Sequence, residues 1–162
     1  MLKRKILIIG FISICGLTSF IALIPAQKYK CMLQMNSYEG EGAYVIVSLI
    51  NPSNEYEKTL YVLGKDDDWY SDITNWWNYY GKKRYDLDGI TGATLSGNKS
   101  GINIIEIDDY NINSGYKIRF ETAVEDQKYY KTDIEFELTT TSISSKKEGS
   151  GYINYVRLMP IN

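Results

Sequence analysis

Between Tyr116 and Val124 the chain alternates apolar and polar side chains. Tyr116, Ile118, Phe120, Thr122 and Val124 interleave with Lys117, Arg119 and Glu121. A period of two is the repeat of a β-strand with one face on a core and the other in water. Ile134, Phe136 and Leu138 interleave with Asp133, Glu135 and Glu137 in the same way. Shorter β-rich runs cover residues 29–35, 44–50, 59–63, 102–107 and 152–158, bounded by turn residues such as Gly40 and Gly42, Asn51-Pro52-Ser53, or Gly64. Residues 108–115 read as a turn region, and the polar, Ser/Thr-rich stretch 139–151 as a mobile loop.

One segment departs from this rhythm. Ile73, Trp76, Trp77 and Tyr80 fall at helical spacing, with Ser71 placed to cap the start and Gly81 just past the end. Lys82, Lys83 and Arg84 then stand where the helix dipole favours cations. The helical period assigns Ile73, Trp76 and Trp77 to the interior of a sandwich, with the tyrosines at its rim. Seven strands and one short helix predict a mainly β fold, an immunoglobulin-like antiparallel β-sandwich. Folds of that class host enzymes, binders and structural modules alike, so the architecture leaves function open.

Ahead of the first strand, Lys3, Arg4 and Lys5 precede an apolar run from Ile6 to Ile24 that ends at Pro25. A basic start followed by an apolar stretch marks a secretory signal or a signal anchor. The run is close to the length that crosses a bilayer, and cleavage after Ala26 is also compatible with it, so both fates stay open. Cys15 follows Ile14, a poor context for lipoprotein processing. In either case the positive charges stay inside and the remainder crosses. The expected division is a leader over residues 1–27, with membrane contact through this N-terminal segment, and an extracytoplasmic domain over residues 28–162.

Composition narrows the chemistry. Setting the three leader cations aside from 18 basic residues leaves 15 against 20 acidic ones, a net charge of −5. That balance argues against a nucleic-acid partner, which would require concentrated Lys and Arg. The chain contains no histidine, which removes His-based triads and nearly all transition-metal sites. Cys31 is the only cysteine beyond the leader, so the exported part forms no internal disulfide. No nucleophile–base pair suggests a hydrolase, and the expectation is that the domain is not an independent enzyme.

The most informative stretch is Asp88-Gly89-Ile90-Thr91-Gly92-Ala93-Thr94. It resembles the D-x-x-[ST]-G-A-T signature of domains that carry covalently bound FMN in sodium-pumping NADH:quinone reductases and Rnf-type complexes. In those domains a flavin transferase of the ApbE type joins FMN, through its phosphate, to the hydroxyl of the final Thr. The resemblance implies Thr94 as acceptor, with Asp88, Thr91, Gly92 and Ala93 as the recognition frame. It also implies the transferase and membrane redox proteins as partners. The residue types suit that role: a hydroxyl presented to another protein needs a narrow turn, and Gly92 permits a close approach that a side chain would block. The alternative is a tight connection in which Asp and Thr side chains cap backbone groups.

Lys58-Thr59-Leu60, Trp69, Trp76-Trp77, the Thr-Gly-Ala-Thr turn, and Gly115-Tyr116 with Glu121 resemble an uncharacterised family of predicted periplasmic proteins over residues 43–138. The resemblance implies a company of flavin transferases and PepSY-type membrane proteins.

Other features are weighed against plainer roles. Trp69, Tyr70, Trp76, Trp77, Tyr79, Tyr80 and Tyr85 crowd into one segment, where rings such as Tyr85 could stack on an isoalloxazine beside Thr94 or on a sugar. Asp66, Asp67 and Asp68 supply clustered oxygens but lack the spacing of a calcium loop, and they read as a solvated turn, as do Asp108 and Asp109. Two functional readings follow: an extracytoplasmic redox module with FMN on Thr94, or a non-catalytic immunoglobulin-like domain binding protein or glycan through its aromatic segment.

Overall fold

A computed structural model describes residues 25–64, 66–81 and 91–161. Residues 1–24 of the expected leader, the cations at 82–84 and the first half of the Asp88–Thr94 motif lie outside them, whereas Ala26 and Gln27, assigned to the leader by sequence, already belong to the first strand.

The strands are β1 (Ala26–Met35), β2 (Tyr44–Ile50), β3 (Tyr56–Leu63), β4 (Thr91–Gly92), β5 (Ser100–Asp108), β6 (Lys117–Ala123), β7 (Tyr130–Glu137), β8 (Lys147–Glu148) and β9 (Ile153–Pro160). They form two sheets, ordered β5-β1-β9-β8 and β4-β3-β2-β6-β7. The mainly β, two-sheet sandwich is as expected. It is not purely antiparallel, however. The chain leaves β3, passes through the helix α1 (Thr74–Tyr80) and returns in the same direction, so β4 lies parallel to β3 with Val62 opposite Thr91 and Leu63 opposite Gly92.

The sandwich interior is built by alternation. Cys31, Leu33 and Met35 of β1 face Val45, Val47 and Leu49 of β2, with Ile105, Phe120, Val156 and Leu158 packed among them. All seven residues of β2 are buried, which alternation alone would not produce. The reason is a second core on the far side of the five-stranded sheet. There Trp76 and Tyr80 of α1, with Tyr70 and Ile73 before it, cover Tyr44, Ile46, Val62 and Ala123. The helix therefore lies outside the sandwich rather than inside it. Trp76 and Ile73 are buried as expected, but between helix and sheet, and Trp77 is only partly covered.

Local signals were only partly read by sequence. Residues 67–72 form a 3₁₀ turn capped by Asp66, whose carboxylate accepts from the Asp68 N–H at 3.2 Å. Ser71 falls inside that turn, and α1 starts from Ile73 with no side-chain cap. Gly81 does close the helix, its N–H donating to the Trp77 carbonyl, but at φ −54° rather than in a left-handed conformation. The stretch 139–151 is not a bare loop. The backbone of Thr139 and the side chain of Ser142 bond one another, Ile143 is buried, and β8 pairs with β9.

Candidate functional site

The motif enters the described structure at Thr91. Thr91 and Gly92 form the edge of the five-stranded sheet, and the Gly64 N–H donates to the Gly92 carbonyl at 2.7 Å. The chain then crosses from one sheet to the other through Ala93, which is exposed, and Thr94, which is half-buried. Leu95 closes the crossing. It exchanges two backbone hydrogen bonds with Ala43, and its carbonyl also accepts from the Tyr38 hydroxyl. That same hydroxyl accepts from the Ala43 N–H at 2.9 Å. Beyond it, Asn98 donates to the Asn36 carbonyl and Met35 to that of Lys99, delivering the chain to β5.

The crossing is thus pinned on both sides, and Thr94 stands between the pins. Its hydroxyl lies against the backbone of Gly42, where a Cβ would fall 2.7 Å from the Thr94 Cβ and overlap the hydroxyl itself. Among the described residues no hydrogen bond reaches the Thr94 hydroxyl. This differs from the capping role that a structural turn would give it. Gly92 works by close approach, because a Cβ there would meet the Tyr61 hydroxyl at 2.7 Å, while its backbone shows no left-handed φ.

Of the predicted site residues, Thr91, Gly92, Ala93 and Thr94 occupy one continuous crossing, whereas Asp88 and Tyr85 lie outside the described residues. Among the described residues, one link from the aromatic segment to the motif runs through Gly64. The Tyr70 hydroxyl donates to the Gly64 carbonyl at 2.7 Å, and Gly64 holds Gly92. Tyr70, Trp76 and Tyr80 are themselves buried: Trp76 stacks on Tyr80 at 4.7 Å and donates to the Thr59 hydroxyl at 2.9 Å. Tyr79 stacks on Tyr56 and donates to the Glu57 carbonyl.

A second polar cluster was not singled out by sequence. Glu121, fully buried on β6, accepts from the hydroxyls of Tyr56 at 2.6 Å and of Tyr129. Burial raises its pKa above the ordinary carboxylate value, against the opposing effect of the two phenols. Burial and the neighbouring carboxylate push both tyrosines upward as well, so they remain hydroxyl donors. Beside them Arg119 pairs with Glu135 at 2.6 Å and lies over the Tyr56 ring. The available signal was the alternation of β6. It placed Arg119 and Glu121 on the face opposite Phe120, and the aromatic-rich helix supplies that face with a cover.

Asp66, Asp67 and Asp68 bring carboxylate oxygens within 4.8 Å of one another, but all three are exposed and Asp66 is engaged in capping. Cys31 is buried, which pushes its thiol up to about 12.

Ala26 pairs with Asp108 at one end of the four-stranded sheet and Gln34 with Ser100 at the other. The crossing at Thr94 joins the second end, about 30 Å along the strand from the N-terminal segment. No curated protein and no solved structure matches the chain. The family described as "Predicted periplasmic protein (DUF2271)" matches residues 26–155, which span both sheets, the helix and the crossing, and the chain belongs to that family.

Proposed function

We propose that this extracytoplasmic domain is an electron-carrying module that holds FMN covalently on Thr94. The observation that carries the reading is the state of the Thr94 hydroxyl: half-buried, on a crossing pinned at both sides, and unbonded among the described residues. A hydroxyl already committed to a backbone group would have to break that bond before reacting, and among the described residues Thr94 has none to break. Oγ1 also meets a fit test, since Gly42 leaves open the slot in which it sits.

Attachment follows from the chemistry of the donor. FAD carries a pyrophosphate, so Oγ1 of Thr94 attacks the flavin-side phosphorus, the P–O bond to AMP breaks, and AMP leaves. The hydroxyl proton passes to a base on the transferase, which also supplies the divalent cation. The chain's own part is to present Oγ1 on a fixed bend, through the Leu95–Ala43 pair on one side and the β3–β4 pair on the other. Once bound, the flavin would supply one- and two-electron chemistry.

The alternative, an interaction domain reading protein or glycan through the aromatic segment, has less support. Trp76, Tyr70 and Tyr80 are committed to the second core, and such a surface would have to be built from the rings around them.

The test is co-expression of the full chain with an ApbE-type transferase, with FAD and magnesium supplied, followed by a denaturing gel and intact mass. In-gel flavin fluorescence that persists in Ser96→Ala, which removes an exposed hydroxyl outside the recognition frame, and vanishes in Thr94→Val supports the reading. Absence of any adduct beside an active transferase control overturns it.

A further inference from the structure

The large hydrophobic side chains that stand exposed among the described residues are Ile102 at 64 %, Ile104 at 57 % and Tyr110 at 49 %. All three lie along β5 or in the turn that follows it, a single strip at the edge of the four-stranded sheet. Alternation sends Ile105 and Ile107 into the core and leaves Ile102 and Ile104 on the outer face. The strand register extends that face. Met32 is opposite Ile102, Lys30 is opposite Ile104, and across β1 the next neighbours are Arg157 and Met159.

The cations on this face are not engaged elsewhere. Lys30 and Arg157 are exposed and take part in no ion pair among the described residues. Lys28 stands opposite Glu106, Asp108 follows on the same side of β5 at the end of the strand, and Glu148 at the far edge pairs with Lys146. The opposite layer is different in kind. Its outer surface is covered by α1 and bordered by Asp66, Asp67, Asp68 and Asp72, all exposed. Among the described residues, the centre of this face is therefore apolar and basic, with Lys30 and Arg157 beside Ile102, Ile104 and Met32.

We infer that the outer face of the four-stranded sheet lies on the surface of the membrane, seated on anionic phospholipid headgroups. Isoleucines reach the acyl boundary while Lys30 and Arg157 meet the phosphates, the division of labour of interfacial binding. Charge complementarity selects this occupant over a second copy, because two such faces would bring like charges together. Continuity supports it too: β1, in the middle of the face, begins one residue after Pro25, which directly follows the apolar run Ile6–Ile24. Tyr110 sits at that same end, and tyrosine is a side chain enriched at the headgroup level. Sheet faces exposing paired isoleucines without a partner are uncommon in monomers.

The experiment uses the full chain with Cys15→Ser, reconstituted into phosphatidylglycerol–phosphatidylcholine vesicles that contain a headgroup-proximal doxyl lipid. The buried Cys31 stays inert, so a thiol-reactive fluorophore reports from Ser100→Cys on the proposed face or from Asn78→Cys on α1. The expected result is strong lipid quenching at position 100 and weak quenching at 78. Lys30→Gln and Arg157→Gln each lower the face-down population roughly fivefold, and phosphatidylcholine alone abolishes the preference. Equal quenching at the two positions overturns the inference. So does a position-100 label that is shielded from lipid but cross-links to a second chain.

Discussion

The Asp133 carboxylate accepts a 2.9 Å hydrogen bond from the backbone N–H of Ile153, joining β7 of one sheet to the start of β9 in the other. It also accepts from the N–H groups of Ser150 and Gly151 and from the Thr122 hydroxyl, at 2.9, 2.7 and 2.7 Å. One buried acid thus holds the approach to the last strand against the five-stranded sheet. Asp133→Ala leaves three backbone donors and a hydroxyl without their partner, and we expect a loss of about 3 kcal/mol in urea unfolding. Asp133→Asn keeps one acceptor oxygen and should lose less. Equal losses in the two variants would mean that packing, and not the carboxylate, does the holding.

Glu121 gives the fold a dependence on pH. Burial raises its folded pKa above the ordinary carboxylate value of about 4.5, so as pH rises the native state holds a proton that the unfolded chain has already released. The contribution is fully present below about pH 4.5 and is lost as pH rises through the higher folded value. Glu121→Gln cannot titrate. Melting curves of the two proteins should therefore diverge with rising pH across that window and run parallel above it, with the variant gaining relative to wild type. Curves that stay parallel from acid to neutral pH would contradict a raised Glu121.

Gly42 guards Thr94. A methyl at position 42 meets the Thr94 side chain, and either the bend shifts or the hydroxyl is displaced. Gly42→Ala should cost about 1–3 kcal/mol in thermal or denaturant unfolding. If Thr94 is the flavin acceptor, the same variant should also lower adduct yield while Thr94→Ser retains it. Full loading in a destabilised Gly42→Ala chain would separate the two roles.

Cys31 should behave as an inert thiol. With burial pushing its pKa up to about 12, the thiolate that alkylating reagents need is nearly absent at pH 8. In Cys15→Ser protein, labelling by iodoacetamide should be negligible when native and rapid in urea. Fast labelling of the native protein would show that β1 opens locally.

Much of the architecture was legible because strand alternation survives in the sequence wherever one face is apolar. Tyr44–Ile50 needed no pattern at all, being apolar nearly throughout, and the structure accounts for that uniformity by covering both faces of the strand. What sequence could not show was which side the helix would take. Ile73, Trp76 and Tyr80 define an apolar stripe, yet a stripe reads the same against the sandwich interior and against its outside. The two-residue strands β4 and β8 were missed because so short a ladder leaves no periodicity. The Thr91–Thr94 stretch was found by its resemblance to a known motif, but the importance of Gly42 and Tyr38 was invisible, since both act across the fold from distant positions in the chain. Glu121 was hidden for the opposite reason. Its polar character suggested water, and only the aromatic cover with Tyr56 and Tyr129 makes burial tolerable.

The position of β1 has a consequence for biogenesis. It is the first strand of the exported region, yet both its ladders are to late partners: β5, which starts at Ser100, and β9, which ends at Pro160. A chain threaded N-terminus first can pair β1 with β5 and assemble β2, β3, β6 and β7 while the other edge of its opening strand stays bare until β9 arrives. Completion must therefore follow release of the last residues, and in that interval the β1 segment is the part most in need of a chaperone.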